Sequence, residues 1–226
     1  MNNFNNQGGV TVSSYLTKPL QTATLGMGCF WSPEALFGHF PGVIRTKVGY
    51  AGGTTDQPSY REMGDHSEMV QLDFDPEILS YEEILRIFWN SHNPVNINDY
   101  KGRQYRSLVL YHNEQQKAKA EQVIRERERE GRAAKPDTEI SPYIAFYPAE
   151  ERHQKYYLHR YPNAVEKLSS IYPSHQELLS STLAARLNGL AKGYTNLTQI
   201  KQEIAGWPMR MDHRERLIDL ISGIKW

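Results

Sequence analysis

The apolar pattern in the first half of this chain switches period over short connections. No other feature limits its possible topologies as much. Gln21–Met27 is a short apolar run that reads as a buried strand and stops at Gly28. Ser32–Phe40 then has helical spacing, with Ala35, Leu36 and Phe40 recurring and Pro33 in the first turn. Val43–Tyr50 alternates like a strand and runs into the loop signal Ala51-Gly52-Gly53. Met69–Phe74 alternates again, through Val70, Leu72 and Phe74, and Asp75-Pro76 closes it. Some of these connections are too short for the crossover that joins parallel strands. The expected class is therefore α+β: a mixed sheet with helices packed on it.

The rest of the chain fits that class. Ser80 and Glu83 form a capping box that opens a helix to about His92. Asn93–Arg103 reads as a loop and Ser107–Tyr111 as a strand, and Asn113 caps a long charged helix to Glu130. Thr138–Ile140 and Ile144–Phe146 are short strand candidates. Ala149–His159 reads as a helix that Pro162 ends. After Pro173 the texture changes to three helices, Gln176–Leu190, Leu197–Ala205 and His213–Ile224, separated by Gly and Pro. Residues 1–19 are polar and expected to be loose.

Composition excludes several functions. The 26 basic and 26 acidic residues balance to zero net charge, which gives no basic excess for neutralising phosphates, so nucleic acid is not an expected partner. No run of eighteen apolar residues exists to span a membrane. The N-terminus lacks the basic and apolar regions of a secretory leader. The single cysteine, Cys29, forms no internal disulfide and supplies no thiolate cluster for zinc, so no metal is expected. A reducing cytoplasm is the simplest compartment.

Chemistry concentrates around Gly26-Met27-Gly28-Cys29-Phe30-Trp31. A strand ends, glycines allow a sharp turn, and Cys29 falls at the mouth of a helix. Unpaired N–H groups and the helix dipole favour an anion there, so the thiol should ionise more readily. Phe30 and Trp31 offer apolar walls. Placement alone does not separate this reading from a buried structural cysteine. Glu34 and Glu68 lie near apolar segments, where a desolvated carboxylic acid can donate a proton near neutrality, although for either Glu alone a surface carboxylate is the plainer reading. His66, Tyr60 and Tyr105 are hydrogen-bonding candidates, and on their own they are as easily core residues. Glu150, His153 and Gln154 come close on one helical turn, where polar packing is the plainer reading than a metal pair.

Taken together these residues resemble the methionine sulfoxide reductase A family. The segment Gly28-Cys29-Phe30-Trp31 is similar to its signature. In the same order follow Phe40-Pro41-Gly42-Val43, Val48-Gly49-Tyr50-Ala51-Gly52-Gly53, Pro58-Ser59-Tyr60, His66-Ser67-Glu68, Phe74-Asp75-Pro76, Phe88-Trp89, Gln104-Tyr105-Arg106-Ser107, Ala149-Glu150 and His153-Gln154-Lys155-Tyr156. The likeness spans residues 20–162 and leaves 163–226 as a helical C-terminal extension. It implies a two-layer, ferredoxin-like sandwich and reduction of methionine-S-sulfoxide, free or in proteins. Under it Cys29 attacks the sulfoxide sulfur and becomes a sulfenic acid. Glu68 protonates the oxygen, and Tyr60 and Tyr105 hydrogen-bond it. Phe30 and Trp31 hold the S-methyl group, with Glu34, His66 and Asp99 as further substrate-binding positions. No bound cofactor is implied.

The sequence departs from the family in four places. Ser32 stands where a Gly is usual, and the segment between Tyr60 and His66 is shorter. Tyr100 occupies the place of a substrate-binding Asp, with Asp99 one residue earlier. The glycine-rich tail with its resolving cysteines is missing. The resetting thiol must therefore come from outside: glutathione with glutaredoxin, or thioredoxin. The helical extension fits a lid, an oligomer contact, a partner-binding module or, more plainly, a cover for apolar surface. Two other functions stay open: a related enzyme acting on another small sulfoxide or oxidised sulfur compound, and a non-catalytic sulfoxide-recognising or scaffolding module.

Overall fold

The computed structural model describes residues 19–94, 97, 102–131, 138–172 and 174–226. The loose segment expected over 1–19 lies, but for Pro19, outside them, as do Asp99 and Tyr100. The elements run β1 (Gln21–Met27), α1 (Trp31–Gly38), β2 (Val43–Ala51), β3 (Ser67–Phe74), α2 (Tyr81–Asn90), β4 (Ser107–Tyr111), α3 (Glu114–Arg129), β5 (Glu139–Pro142) and β6 (Phe146–Pro148). A 3-10 turn (Glu151–His153) and helices α4 (Tyr156–His159), α5 (Pro162–Ser169), α6 (His175–Leu179), α7 (Thr182–Lys192), α8 (Leu197–Ala205) and α9 (Met211–Ser222) complete it.

The strands form one sheet in the order β5-β4-β1-β3-β2-β6. Only the β4–β5 pair is parallel, so the sheet is mixed and the fold α+β. Leu25, Val70, Leu72 and Val109 join Phe37 of α1, Ile84 and Phe88 of α2 and Val123 of α3 in one apolar layer. Burial of each large side chain there stabilises the fold by about 1.5–3 kcal/mol. The α2 capping box forms as expected, with Ser80 accepting from Glu83 N and Glu83 accepting from Ser80 N. Among the described residues no helix is long and apolar enough to cross a membrane.

Three local expectations change. Ala149–His159 is not one helix: Lys155 sits at φ 49° and divides the 3-10 turn from α4. Its backbone N–H and ammonium both bind the Glu34 carboxylate, at 2.7 Å each, and those bonds hold the chain in that bend. Pro162 does not end a helix but begins α5, at the first position, where its missing N–H costs nothing. The expected Gln176–Leu190 helix is likewise two, because the Ser181 hydroxyl accepts from Ala184 N and starts α7 afresh.

The C-terminal helices have a core of their own, built on Leu158, Leu168, Leu183, Leu187, Ile204 and Ile221. Helix α7 fastens that core to α1. Arg186, almost fully buried, donates to Gly38 O at 2.7 Å and forks onto Glu203 of α8 at 2.7–2.9 Å. Thr182 Oγ1 donates to Ile44 O at 2.7 Å, and Asn188 Oδ1 accepts from Tyr157 N and Leu158 N at 3.1 Å. The two helices approach so closely at Gly189 that a Cβ there would come within 2.6 Å of the His39 Cβ.

Candidate active site

Strand β1 delivers the chain to Gly28, whose φ of 83° is a left-handed turn that other residues enter only at a cost. That turn places Cys29 just ahead of α1, whose N-cap is Phe30. Cys29 is half-buried and unpaired. The thiol departs from the sequence expectation in one respect: its pKa is raised, not lowered. Burial is the largest cause, and the nearby Glu68 charge adds to it. The Trp31 N–H favours the thiolate, as a helix N-terminus should, but is outweighed.

Glu68 is the second residue of β3, directly across from Tyr50 of β2. Only 1% of it is exposed. Its carboxyl accepts from Phe30 N at 3.1 Å and from Gln104 Nε2 at 2.8 Å, while its own N–H donates to Gln104 O at 2.8 Å. Burial pushes its pKa up, and the Gln104 and Phe30 hydrogen bonds only partly offset this. A carboxyl group with a raised pKa is thus fixed on the amide next to the only cysteine.

Aromatic rings wall the site. The Trp31 indole lies flat on Tyr156, centroids 3.8 Å apart and 5° from parallel. Its Nε1–H donates to His153 Nδ1 at 3.3 Å, and Arg152 Nε–H reaches His153 Nε2 at 3.2 Å. His153 packs on Phe30 (5.6 Å) and on Tyr60 (4.9 Å), and burial lowers its pKa, keeping it neutral near pH 7. Glu150 ties the rim together: its carboxylate accepts from Tyr50 OH at 2.8 Å and from Tyr60 N at 3.4 Å. Gln154 and Lys155 hold this segment from beneath. Gln154 bonds both the N–H and the C=O of Val48, at 3.0 and 2.8 Å, as a neighbouring strand would.

The structure thus brings Cys29, Phe30, Trp31 and Glu68 together, with Tyr60 beside them through His153. Tyr105 is half-buried in the loop before β4, next to Gln104. Two expected substrate positions are redirected. Glu34 is fully buried, with its carboxylate taken up by Lys155 and by the Thr46 hydroxyl at 3.2 Å, so it offers no face to a ligand. His66 is also buried, accepting from Gly53 N at 3.1 Å and bonding Thr55 O at 2.7 Å, and so it pins the loop that carries Tyr60. The shortened loop gains a second anchor in Asp65, which accepts from the N–H and hydroxyl groups of Thr54 and Thr55 at 2.8–2.9 Å. Ser32, in place of Gly, hydrogen-bonds Tyr157 OH at 2.9 Å and ties α1 to α4. The sequence pointed to Glu150 and His153 only as a polar cluster, and gave Tyr50, Gln104 and Tyr156 no role. Their signal was position within the shared motifs. No cluster of three or more metal-ligating side chains exists among the described residues.

The chain has named relatives. The family model for peptide methionine sulfoxide reductase matches residues 21–186. The peptide methionine sulfoxide reductase of Drosophila melanogaster is 46% identical over 183 residues, covering 80% of this chain and 72% of the fly protein. Peptide methionine sulfoxide reductase A5 of Oryza sativa subsp. japonica is 38% identical over 218 residues, 91% of this chain and 84% of the rice protein. Among solved structures, methionine sulfoxide reductase A of Corynebacterium diphtheriae is similar with a TM-score of 0.55 and 30% identity, over 65% of this chain and 77% of that one. Reduced Mxr1 of Saccharomyces cerevisiae gives 0.57 and 29%, over 64% and 87%.

Proposed function

The chain belongs to the peptide methionine sulfoxide reductase family, and from that footing we propose that it reduces methionine-S-sulfoxide with Cys29 as the attacking sulfur and Glu68 as the proton donor. The observation that carries this reading is the buried Glu68 carboxyl on the Phe30 amide, one residue from the only thiol and coupled to its charge. Cys29 attacks the sulfoxide sulfur while Glu68 hands a proton to the oxygen, and the proton lost from the thiol restores Glu68. Net, Cys–SH and the sulfoxide give Cys–SOH and methionine: oxygen passes to Cys29, the substrate sulfur is reduced, and the Cys29 sulfur is oxidised. Tyr60 and Tyr105 hydrogen-bond the oxygen as charge develops on it. Phe30, Trp31 and the stacked Tyr156 take the S-methyl group in an apolar slot.

Because the chain has one cysteine, the second half of the cycle needs a thiol from another molecule. That thiol displaces water from Cys–SOH to give a mixed disulfide, and a second thiol releases Cys29. Glutathione with glutaredoxin, or thioredoxin, fits this role. In this reading residues 20–162 carry the reaction and 163–226 frame it. Cys29→Ser is expected to make no methionine from dabsyl-methionine-S-sulfoxide in the presence of dithiothreitol; turnover by that variant would sink the assignment. An S-epimer product with wild-type protein, and none from the R epimer, is the expected stereochemical result.

A further inference from the structure

Cys29 also faces a second space, away from the aromatic wall. A cleft of about 380 Å³ is lined by Cys29, Ser32 and Leu36 of α1, His92 after α2, Ile97, and Tyr194 from the C-terminal helices. Neither Phe30, Trp31, Glu68, Tyr60 nor His153 lines it. A sulfoxide needs the proton donor and the apolar slot, and the described part of this cleft contains neither. Its volume falls in the range of about 300–1,000 Å³ typical of small-molecule sites. The described lining carries no charged side chain. The His92 ring is engaged on both nitrogens, with Phe88 O and Ser107 Oγ at 2.7 Å each.

Tyr194 reaches this cleft through the fold of the tail. α7 lies against α1 through Arg186 and Gly189. It ends at Gly193, at φ 90°, and Tyr194 N then bonds back to Gly189 O at 2.9 Å. This reversal directs Tyr194 toward His39, with rings 5.8 Å apart, and puts its side chain on the cleft wall at 38% exposure.

We propose that this cleft admits the low-molecular-weight thiol that resets Cys29, and that Tyr194 limits the size of thiol that reaches the sulfur. The proposal rests on the one-cysteine cycle above. The chain holds no other sulfhydryl, so an external one must reach the Cys29 sulfur, and Cys29 forms part of the wall of this cleft. The balanced step is Cys–SOH + RSH → Cys–S–S–R + H₂O; a second RSH then gives Cys–SH and R–S–S–R. In both steps the incoming thiol is oxidised and Cys29 is reduced. The tail thereby becomes a selectivity element and not only a cover for apolar surface.

In a two-step cycle of this kind the sulfoxide and thiol each have their own kcat/KM, and these can be read separately. The test measures both, for wild type, Tyr194→Ala and Tyr194→Phe, with 2-mercaptoethanol and glutathione as the thiols. For Tyr194→Ala the glutathione to 2-mercaptoethanol ratio of kcat/KM is expected to rise about tenfold, the lower end of what one methylene contributes to pocket discrimination. The kcat/KM for sulfoxide should stay within about twofold, and Tyr194→Phe, which keeps the ring, should keep the wild-type ratio. An unchanged ratio in Tyr194→Ala overturns the proposal. So does an equal loss in the sulfoxide kcat/KM, which a merely structural role would produce. Failure of the underlying function is distinct: pre-reduced wild type would then make no methionine in a single turnover without added thiol.

Discussion

Glu68→Gln separates proton donation from every other role of this carboxyl. The side chain keeps its size, but an amide has one oxygen where the carboxyl has two. That oxygen can keep either Phe30 N–H or Gln104 Nε2, now at 3.1 and 2.8 Å. The amide NH₂ then faces the other donor. One hydrogen bond to a charged group is lost, worth about 1.5–3 kcal/mol. The burial that raises the Glu68 pKa opposes its charge, so removing the charge offsets part of this loss. Folding should therefore survive. Catalysis should not: loss of a general acid costs about 10²–10⁴ in rate, or about 2.7–5.4 kcal/mol of barrier. The thiol moves the other way. The Glu68 charge helps hold the Cys29 pKa up, so the variant's thiol ionises at lower pH. At neutral pH, iodoacetamide should then alkylate Cys29 faster in Glu68→Gln than in wild type, while single-turnover methionine formation by pre-reduced protein slows. The midpoint of alkylation against pH should lie above that of an ordinary thiol in wild type and drop in the variant. Reduction within about fivefold of wild type would refute the acid assignment. Parallel loss of alkylation and reduction would mean that the substitution had damaged the site itself.

Two further substitutions test the frame. Lys155→Met leaves the Glu34 carboxylate fully buried with only the residue-155 N–H and the Thr46 hydroxyl. Losing one partner of such a pair costs about 3–5 kcal/mol, read by urea unfolding, and Glu34→Gln with Lys155→Met should recover part of it. A single-variant loss below about 1 kcal/mol would mean the pair is not what holds this bend. Gly189→Ala gains about 0.5–1 kcal/mol of helix propensity, but its Cβ would crowd the His39 Cβ at 2.6 Å and Ala35 O at 3.1 Å, and overpacking costs about 1–3 kcal/mol. Its melting temperature should fall, whereas Gly206→Ala, with no contact closer than 3.5 Å, should not lower it.

Local chemistry made most elements readable. β1, β2, β3 and β4 lie within a residue or two of their apolar runs, and Ser80 and Asn113 cap their helices as their sequences indicate. What local pattern missed was set by partners far along the chain. Lys155 breaks its helix because Glu34, 121 residues away, binds both its N–H and its ammonium. The same pairing shows what local pattern leaves open at Glu34: a carboxylate in an apolar segment looks alike whether it serves a substrate or a buried cation. His153 and Tyr156 follow the same logic. The spacing of His153 with Glu150 and Gln154 suggests polar packing and that of Tyr156 nothing specific, and only the return of this segment against Trp31 gives both a place in the wall.

The thiol pKa shows how the elements act together. A helix N-terminus alone would lower it, and the Trp31 N–H does favour the thiolate. Burial and Glu68 outweigh that, so in the resting site both Cys29 and Glu68 are biased toward holding their protons. A sulfoxide changes the balance, because its oxygen takes the Glu68 proton as its sulfur takes electrons from Cys29. The negative charge that burial disfavours on the thiol is then shared with the substrate as bonds form, and the Trp31 N–H already favours it. A group that stabilises charge only as the reaction proceeds contributes to rate and not merely to binding. On this argument the raised thiol pKa is compatible with catalysis: the site keeps Cys29 protonated until the substrate supplies the acceptor.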